Sequence, residues 1–151
     1  GMGEEIIVID SKSSLAEGIL NASNENILEN IFKDNEKDSF FLNAKLDMEV
    51  EREKAMERFD EIINNEYVDE ESRKIAVEKK IELIETINKE RIIESLIKGK
   101  GFEDAIVFIT ENCIYVTVDK ENLTSPDIAK ILDIVSRETG FSIEQIRIQE
   151  K

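Results

Sequence analysis

The chain has 151 residues, 20 of them basic and 35 acidic, for a formal net charge of −15. That length holds one domain, or one small domain with a helical arm. There is no His and a single Cys, Cys113, which excludes histidine-based acid–base or zinc chemistry and any internal disulfide. A phosphate backbone would be repelled by this charge, so nucleic acid is not an expected partner. The composition is that of a binding or assembly module, with no cofactor, no metal and no enzymatic activity expected.

Residues 1–43 read as a tether or partly ordered segment, polar and weakly periodic. Within them, Ile6-Ile7-Val8-Ile9 is a short β-branched run. It is expected to add as a strand to a sheet edge of its own or a neighbouring domain. Ile19, Leu20, Ile27, Leu28, Ile31 and Phe32 suit short amphipathic helices, with Ser23 or Asn24 as N-cap.

From Ala44 to about Glu66 the pattern is helical, with Leu46, Val50, Met56, Phe59, Ile62 and Ile63 as the apolar positions. Residues 44–68 are read as a helical arm. Asp69 is the expected N-cap of a second helix, with Glu70 and Glu71 in a first turn where the helix dipole favours negative charge. That helix runs to about residue 98. Its apolar positions are Ile75, Ala76, Ile81, Ile84, Ile87, Ile92, Leu96 and Ile97, and Glu70–Lys74, Glu85–Lys89 and Glu94–Lys98 are spaced as i,i+4 ion pairs. Gly99 and Gly101 end it, because glycine readily adopts the left-handed C′ conformation.

A hairpin follows, with strands at Ala105–Ile109 and Cys113–Val118 and a turn at Thr110-Glu111-Asn112. In the second strand Ile114, Val116 and Val118 share one face, leaving Cys113, Tyr115 and Thr117 on the other. A third helix is capped by Thr124 or Ser125, carries Pro126 in its first turn and ends at Gly140. Its expected buried stripe is Ile128, Ile131, Leu132 and Val135. Ile143, Ile146 and Ile148 mark a last strand, with Ser142–Gln145 able to form a turn into it.

The fold class is therefore α+β. An αββαβ unit over residues 69–151 places a three-stranded sheet under two helices, and the helical arm precedes it. The second sheet face and the sheet edges are natural docking surfaces. Tyr115, Thr117 and Asp119 are the candidate partner-binding residues, with Tyr115 and Thr117 expected to owe their exposure to an edge strand. The carboxylate pairs Glu49/Glu53 and Glu78/Glu82 are read as a solvated helix face. Cys113 has no His to activate it and is read as a packed or edge thiol. Gly99-Lys100-Gly101 follows a helix instead of preceding one, so it is a helix stop and not a phosphate loop.

The stretch Glu94 to Ile109, with Gly101-Phe102-Glu103-Asp104-Ala105 at its centre, resembles a segment of the stage III sporulation protein AH family almost residue for residue. The capped helix from Leu123 to Gly140, ending Arg137-Glu138-Thr139-Gly140, is similar to that family's third helix, and Phe40–Asp47 with Glu51-Arg52 resembles its helix start. The likeness covers about residues 40–149. It implies a ring-building motif, like that of type III secretion basal-body rings. It further implies an N-terminal membrane helix upstream of this sequence, in the mother-cell membrane. The domain would then lie in the space between mother-cell and forespore membranes, where it binds a stage II sporulation protein Q-type partner in a channel assembled as a homo-oligomeric ring. The alternative is a helical adaptor that self-associates through residues 44–98. Its apolar spacing drifts from a strict heptad repeat, which counts against that adaptor as the whole function.

Overall fold

The computed structural model describes residues 22–151, with side chains from residue 26 onward. The strand expected at Ile6–Ile9, the helical pattern around Ile19 and Leu20, and the side chains of Ser23 and Asn24 lie outside what it describes. The chain divides into two units between Phe40 and Phe41. The contacts described below belong to the second.

The first helix, α1 (Ala22–Ile63), has 42 residues and begins well before Ala44. No Gly or Pro falls between Ala22 and Ile63, so nothing breaks the chain where two separate helical stretches were expected. A short turn follows, in which Val68 N–H donates to Asn65 O at 3.1 Å. Helix α2 (Glu70–Gly99) starts at Asp69, whose carboxylate accepts from Ser72 N–H. Lys80 pairs with Asp60, Arg52 with Glu90, and Lys45 with Glu94. Rising numbers on α2 thus meet falling numbers on α1, and the two helices run antiparallel. Of the three i,i+4 pairs expected within α2, only Glu94–Lys98 comes within 4.0 Å among the described residues. Gly99 closes the helix without a left-handed turn; it is Gly101 that takes positive φ, at 104°.

Strands β1 (Ala105–Ile109) and β2 (Ile114–Val118) pair antiparallel, and β3 (Ile146–Glu150) pairs with β2 in parallel. The order is β1-β2-β3, so β2 is the middle strand. None of the connecting residues Thr110, Glu111, Asn112 and Cys113 has positive φ, so the turn lacks the primed geometry that tight hairpin loops favour. The Thr110 hydroxyl compensates: it accepts from Cys113 N–H at 3.1 Å and donates to Cys113 O at 2.9 Å. Between β2 and β3 the chain crosses over through α3 (Ser125–Thr139), as a parallel pair requires. Thr124 caps α3 in a reciprocal box with Asp127, and Gly140 ends it at φ 76°. A single 3-10 turn, Ile143–Gln145, leads into β3.

Helices α2 and α3 cover one sheet face. Ile93, Ile97, Ile131, Ile134 and Val135 from the helices pack with Val107, Ile114, Val116, Val118 and Ile146 from the strands, and Phe102 closes one end. Apolar position and burial do not coincide. On α2, Ala76 and Ile97 are buried, but Ile75, Ile81, Ile84, Ile92 and Leu96 are exposed, while Ile93 and Glu90 are buried in their place. Leu46, Val50 and Ile62 on α1 are exposed too, and on α3 Ile134 replaces Ile128 in the buried set.

Candidate partner-binding surface

The sheet face opposite α2 and α3 is open. The strand register puts Phe108, Tyr115 and Arg147 in one row across it, and Ile106, Thr117 and Gln149 in the next. Phe108 is 41% exposed and Tyr115 47%. Their rings lie 6.4 Å apart and tilted by 38°, within the range of a favourable aromatic pair. At the β1 side of the row, the Arg52 guanidinium of α1 sits 5.6 Å from the centre of the Phe108 ring. At the β3 side, Arg147 donates to Glu144 O at 3.0 Å. The row therefore reads Arg52, Phe108, Tyr115, Arg147: two exposed aromatic rings between two guanidinium groups. Aromatic residues and Arg are the types enriched where proteins bind one another.

Arg52 is held by a bidentate pair with Glu90, both contacts at 2.9 Å. Glu90 is 5% exposed, and its Oε2 also accepts the Ile109 N–H at 2.9 Å. One buried carboxylate thus joins α1, α2 and β1. Neither Arg52, noted only within the helix-start resemblance, nor Glu90 was read as a site residue from the sequence, although the signal was there: Glu90 falls three and seven residues before the buried Ile93 and Ile97, on their helical face.

The same carboxylate seals part of the β1 edge. Thr110–Cys113 and Asp104–Asp119 are hydrogen-bonded positions of the ladder, so by alternation the N–H groups of Ala105, Val107 and Ile109 point away from β2. Ile109 donates to Glu90, and Ala105 donates to the Asp104 carboxylate at 2.9 Å. Asp104 and Glu94 share the Lys45 ammonium, at 2.6 and 2.9 Å. Burial works to lower the Lys45 pKa, but its bonds to Asp104 and Glu94 outweigh that and raise it above 10.5. Between these ties, α1, α2 and β1 leave a groove of about 760 Å³, its walls including Met48, Met56, Ile87 and Ile106.

Tyr115 and Thr117 stand side by side on the open face, as the alternation required. Their exposure comes from that face being uncovered, however, and not from an edge: β2 is flanked on both sides. Asp119 follows β2 and is tied by its N–H to Asp104 O at 2.9 Å. Cys113 lies near the same face, its Sγ 3.4 Å from Thr110 Oγ1. The Thr110 hydroxyl, and after it Tyr115, hold the thiol below its ordinary pKa, while Cys113 pushes the Tyr115 phenol up. Among the described residues no cluster of His, Cys, Asp or Glu is arranged to hold a metal. None of their helices is long and apolar enough to cross a membrane.

The chain is 30% identical over 101 residues to stage III sporulation protein AH of Bacillus subtilis (strain 168), covering 67% of this chain and 46% of that protein. The chain thus spans about half the length of the relative it matches. Its fold is similar to a chain solved in the SpoIIQ-SpoIIIAH pore forming complex, with a TM-score of 0.65 and 24% identity over 74% of this chain and 96% of that one. The αββαβ order, with its preceding helix, is shared with that structure. A family model described as SpoIIIAH-like protein matches residues 6–148, nearly the whole length, and on that match the chain belongs to the SpoIIIAH-like protein family.

Proposed function

We propose that the chain is a non-catalytic structural component of a sporulation channel between mother cell and forespore. It binds a stage II sporulation protein Q-type partner and assembles with it into a ring. In this reading residues 69–151 are the ring-building-motif domain and residues 44–68 its helical arm, preceded by residues 1–43 as a tether or partly ordered segment that is helical from Ala22. The domain faces the space between the two membranes, held there by a membrane helix upstream of this sequence. Tyr115 and Thr117 contact the partner across the open sheet face, with Asp119 at its margin. The observation that carries this is the uncovered Arg52–Phe108–Tyr115–Arg147 row. It stands on a fold shared with a chain of the SpoIIQ-SpoIIIAH pore forming complex.

The test is titration calorimetry of the chain against a purified Q-type ectodomain. Tyr115→Ala and Phe108→Ala are each expected to weaken binding by about 30-fold, the size of a hot-spot truncation. Thr117→Ala should cost less than tenfold, as a flanking contact does. Affinity unchanged in both aromatic variants would remove the sheet face from the interface. Absence of any complex with a folded partner would remove the partner.

A further inference from the structure

The groove between α1, α2 and β1 opens onto the uncovered sheet face. Ile106 stands beside Thr117 on that face and also lines the groove. Arg52 belongs to both, approaching the Phe108 ring and forming part of the groove wall. A molecule seated on the Phe108–Tyr115 row is therefore already at the mouth of the groove.

Helical spacing orders the walls. On α1, Met48, Arg52 and Met56 recur every four residues as an inner row, and Glu49 and Glu53 form the rim above it. On α2, Ile87, Arg91 and Ser95 recur in the same way, from depth to rim. Met48, Met56, Ile87 and Ile106 are half-buried, whereas Glu49, Glu53, Arg91 and Ser95 are exposed. The floor is thus apolar and, through its two methionines, able to adapt its shape. The inner charges are already matched: Arg52 pairs with Glu90, and Lys45 with Glu94 and Asp104. The rim charges are not. Among the described residues, no ion pair within 4.0 Å involves Glu49, Glu53 or Arg91.

A trough with an exposed rim would leave a small molecule largely in water, whereas small-molecule sites bury most of their ligand. The shape fits side chains presented by another protein. We propose that the groove receives a segment of the Q-type partner, with an apolar side chain set against Met48, Met56 and Ile87. The segment carries a basic residue toward Glu49 and Glu53 on the α1 wall and an acidic residue toward Arg91 on the α2 wall. This rests on the sheet-face reading above and extends that contact past β1 and between the two helices. Because Glu90 and Asp104 already take N–H groups of β1, the contact there is made by side chains.

Titration calorimetry of the 151-residue chain against a purified Q-type ectodomain tests this. Ser95→Trp fills the groove from an exposed position and is expected to weaken binding about tenfold or more, while Ser95→Ala leaves it unchanged. Glu49→Lys with Glu53→Lys should also weaken binding about tenfold, and so should Arg91→Glu, because each sets like charges together. Glu78→Lys with Glu82→Lys makes the same change in net charge away from the groove and should stay within a few-fold of the parent. Circular dichroism of each variant separates loss of binding from loss of fold. If Ser95→Trp does not fold, the charge variants carry the test. A folded Ser95→Trp that binds like the parent overturns the proposal. So do rim charge variants that bind like the parent, or no more weakly than the Glu78/Glu82 control. If the groove variants bind normally and Tyr115→Ala does not, the groove falls and the sheet face stands. If the groove variants are weakened and Tyr115→Ala is not, the groove stands without the sheet face. Absence of any complex with the parent chain removes both.

Discussion

Asp127 shows how much one side chain can carry at the start of a helix. Its carboxylate accepts the Thr124 N–H at 3.0 Å, and its own N–H donates to the Thr124 hydroxyl. Lys120 lies 2.8 Å away. The bond from Lys120, and then that from the Thr124 backbone, hold the carboxyl down from 3.8 to about 2. A carboxyl depressed on folding stabilises above its ordinary pKa, and that contribution is lost as pH falls through the depressed value. Asp127→Asn should therefore melt at a lower temperature than the parent at pH 7, with the gap narrowing as pH drops from about 4 to about 2. Thermal melts across that range check it, and a gap constant with pH would contradict it. Gly140 gives a second case. A Cβ there would meet nothing within 4 Å, so Gly140→Ala isolates the left-handed φ of 76°. The expected cost is about 1 kcal/mol, or a fall in Tm of about 2–4 °C. Gly140 was legible in the sequence as the stop, and Thr124 as one of two candidate caps. Lys120 was not, because its contact with Asp127 depends on a loop whose path no local pattern encodes.

The helices divide into what spacing can and cannot reveal. The limits of α2 and α3 and the strands of the hairpin follow from caps, glycines and β-branched runs. The reach of α1 does not, since polarity alone suggested a tether where an unbroken run free of Gly and Pro propagates as helix. Ion pairs tie α1 down beside the burial of its Phe41. Arg52→Ala would leave Glu90, at 5% exposure, buried without its counter-ion. That should cost about 3 kcal/mol in urea denaturation. Replacing both by Met should recover much of the loss, because two apolar side chains leave no uncompensated charge. A double variant as unstable as the sum of the singles would show that the pair acts by shape and not by charge. The Ile109 N–H would still lose its acceptor in that variant, so recovery is expected to fall short of the parent.

Across the whole molecule, burial separates isoleucines that look alike in sequence. Ile97 is fully buried and Ile81 is half exposed, yet both sit on α2 at helical spacing. Ile97→Ala should cost about 2–5 kcal/mol through the cavity it leaves, and Ile81→Ala less than about 0.5. Denaturation of the dilute chain distinguishes them. The sequence could not assign these faces, because α2 has apolar residues on both sides and only the sheet decides which one turns inward. The sheet itself has two unlike margins. At β1, a newcomer strand would have to strip Glu90 from Ile109 and Asp104 from Ala105, and displace side chains that Arg52 and Lys45 hold in place. At β3, no further strand is paired among the described residues. Backbone extension of this sheet is thereby one-handed: a strand accepted at the open margin finds no second open margin to relay the pattern onward. Many such domains can be crowded together without their sheets fusing edge to edge into a continuous ribbon.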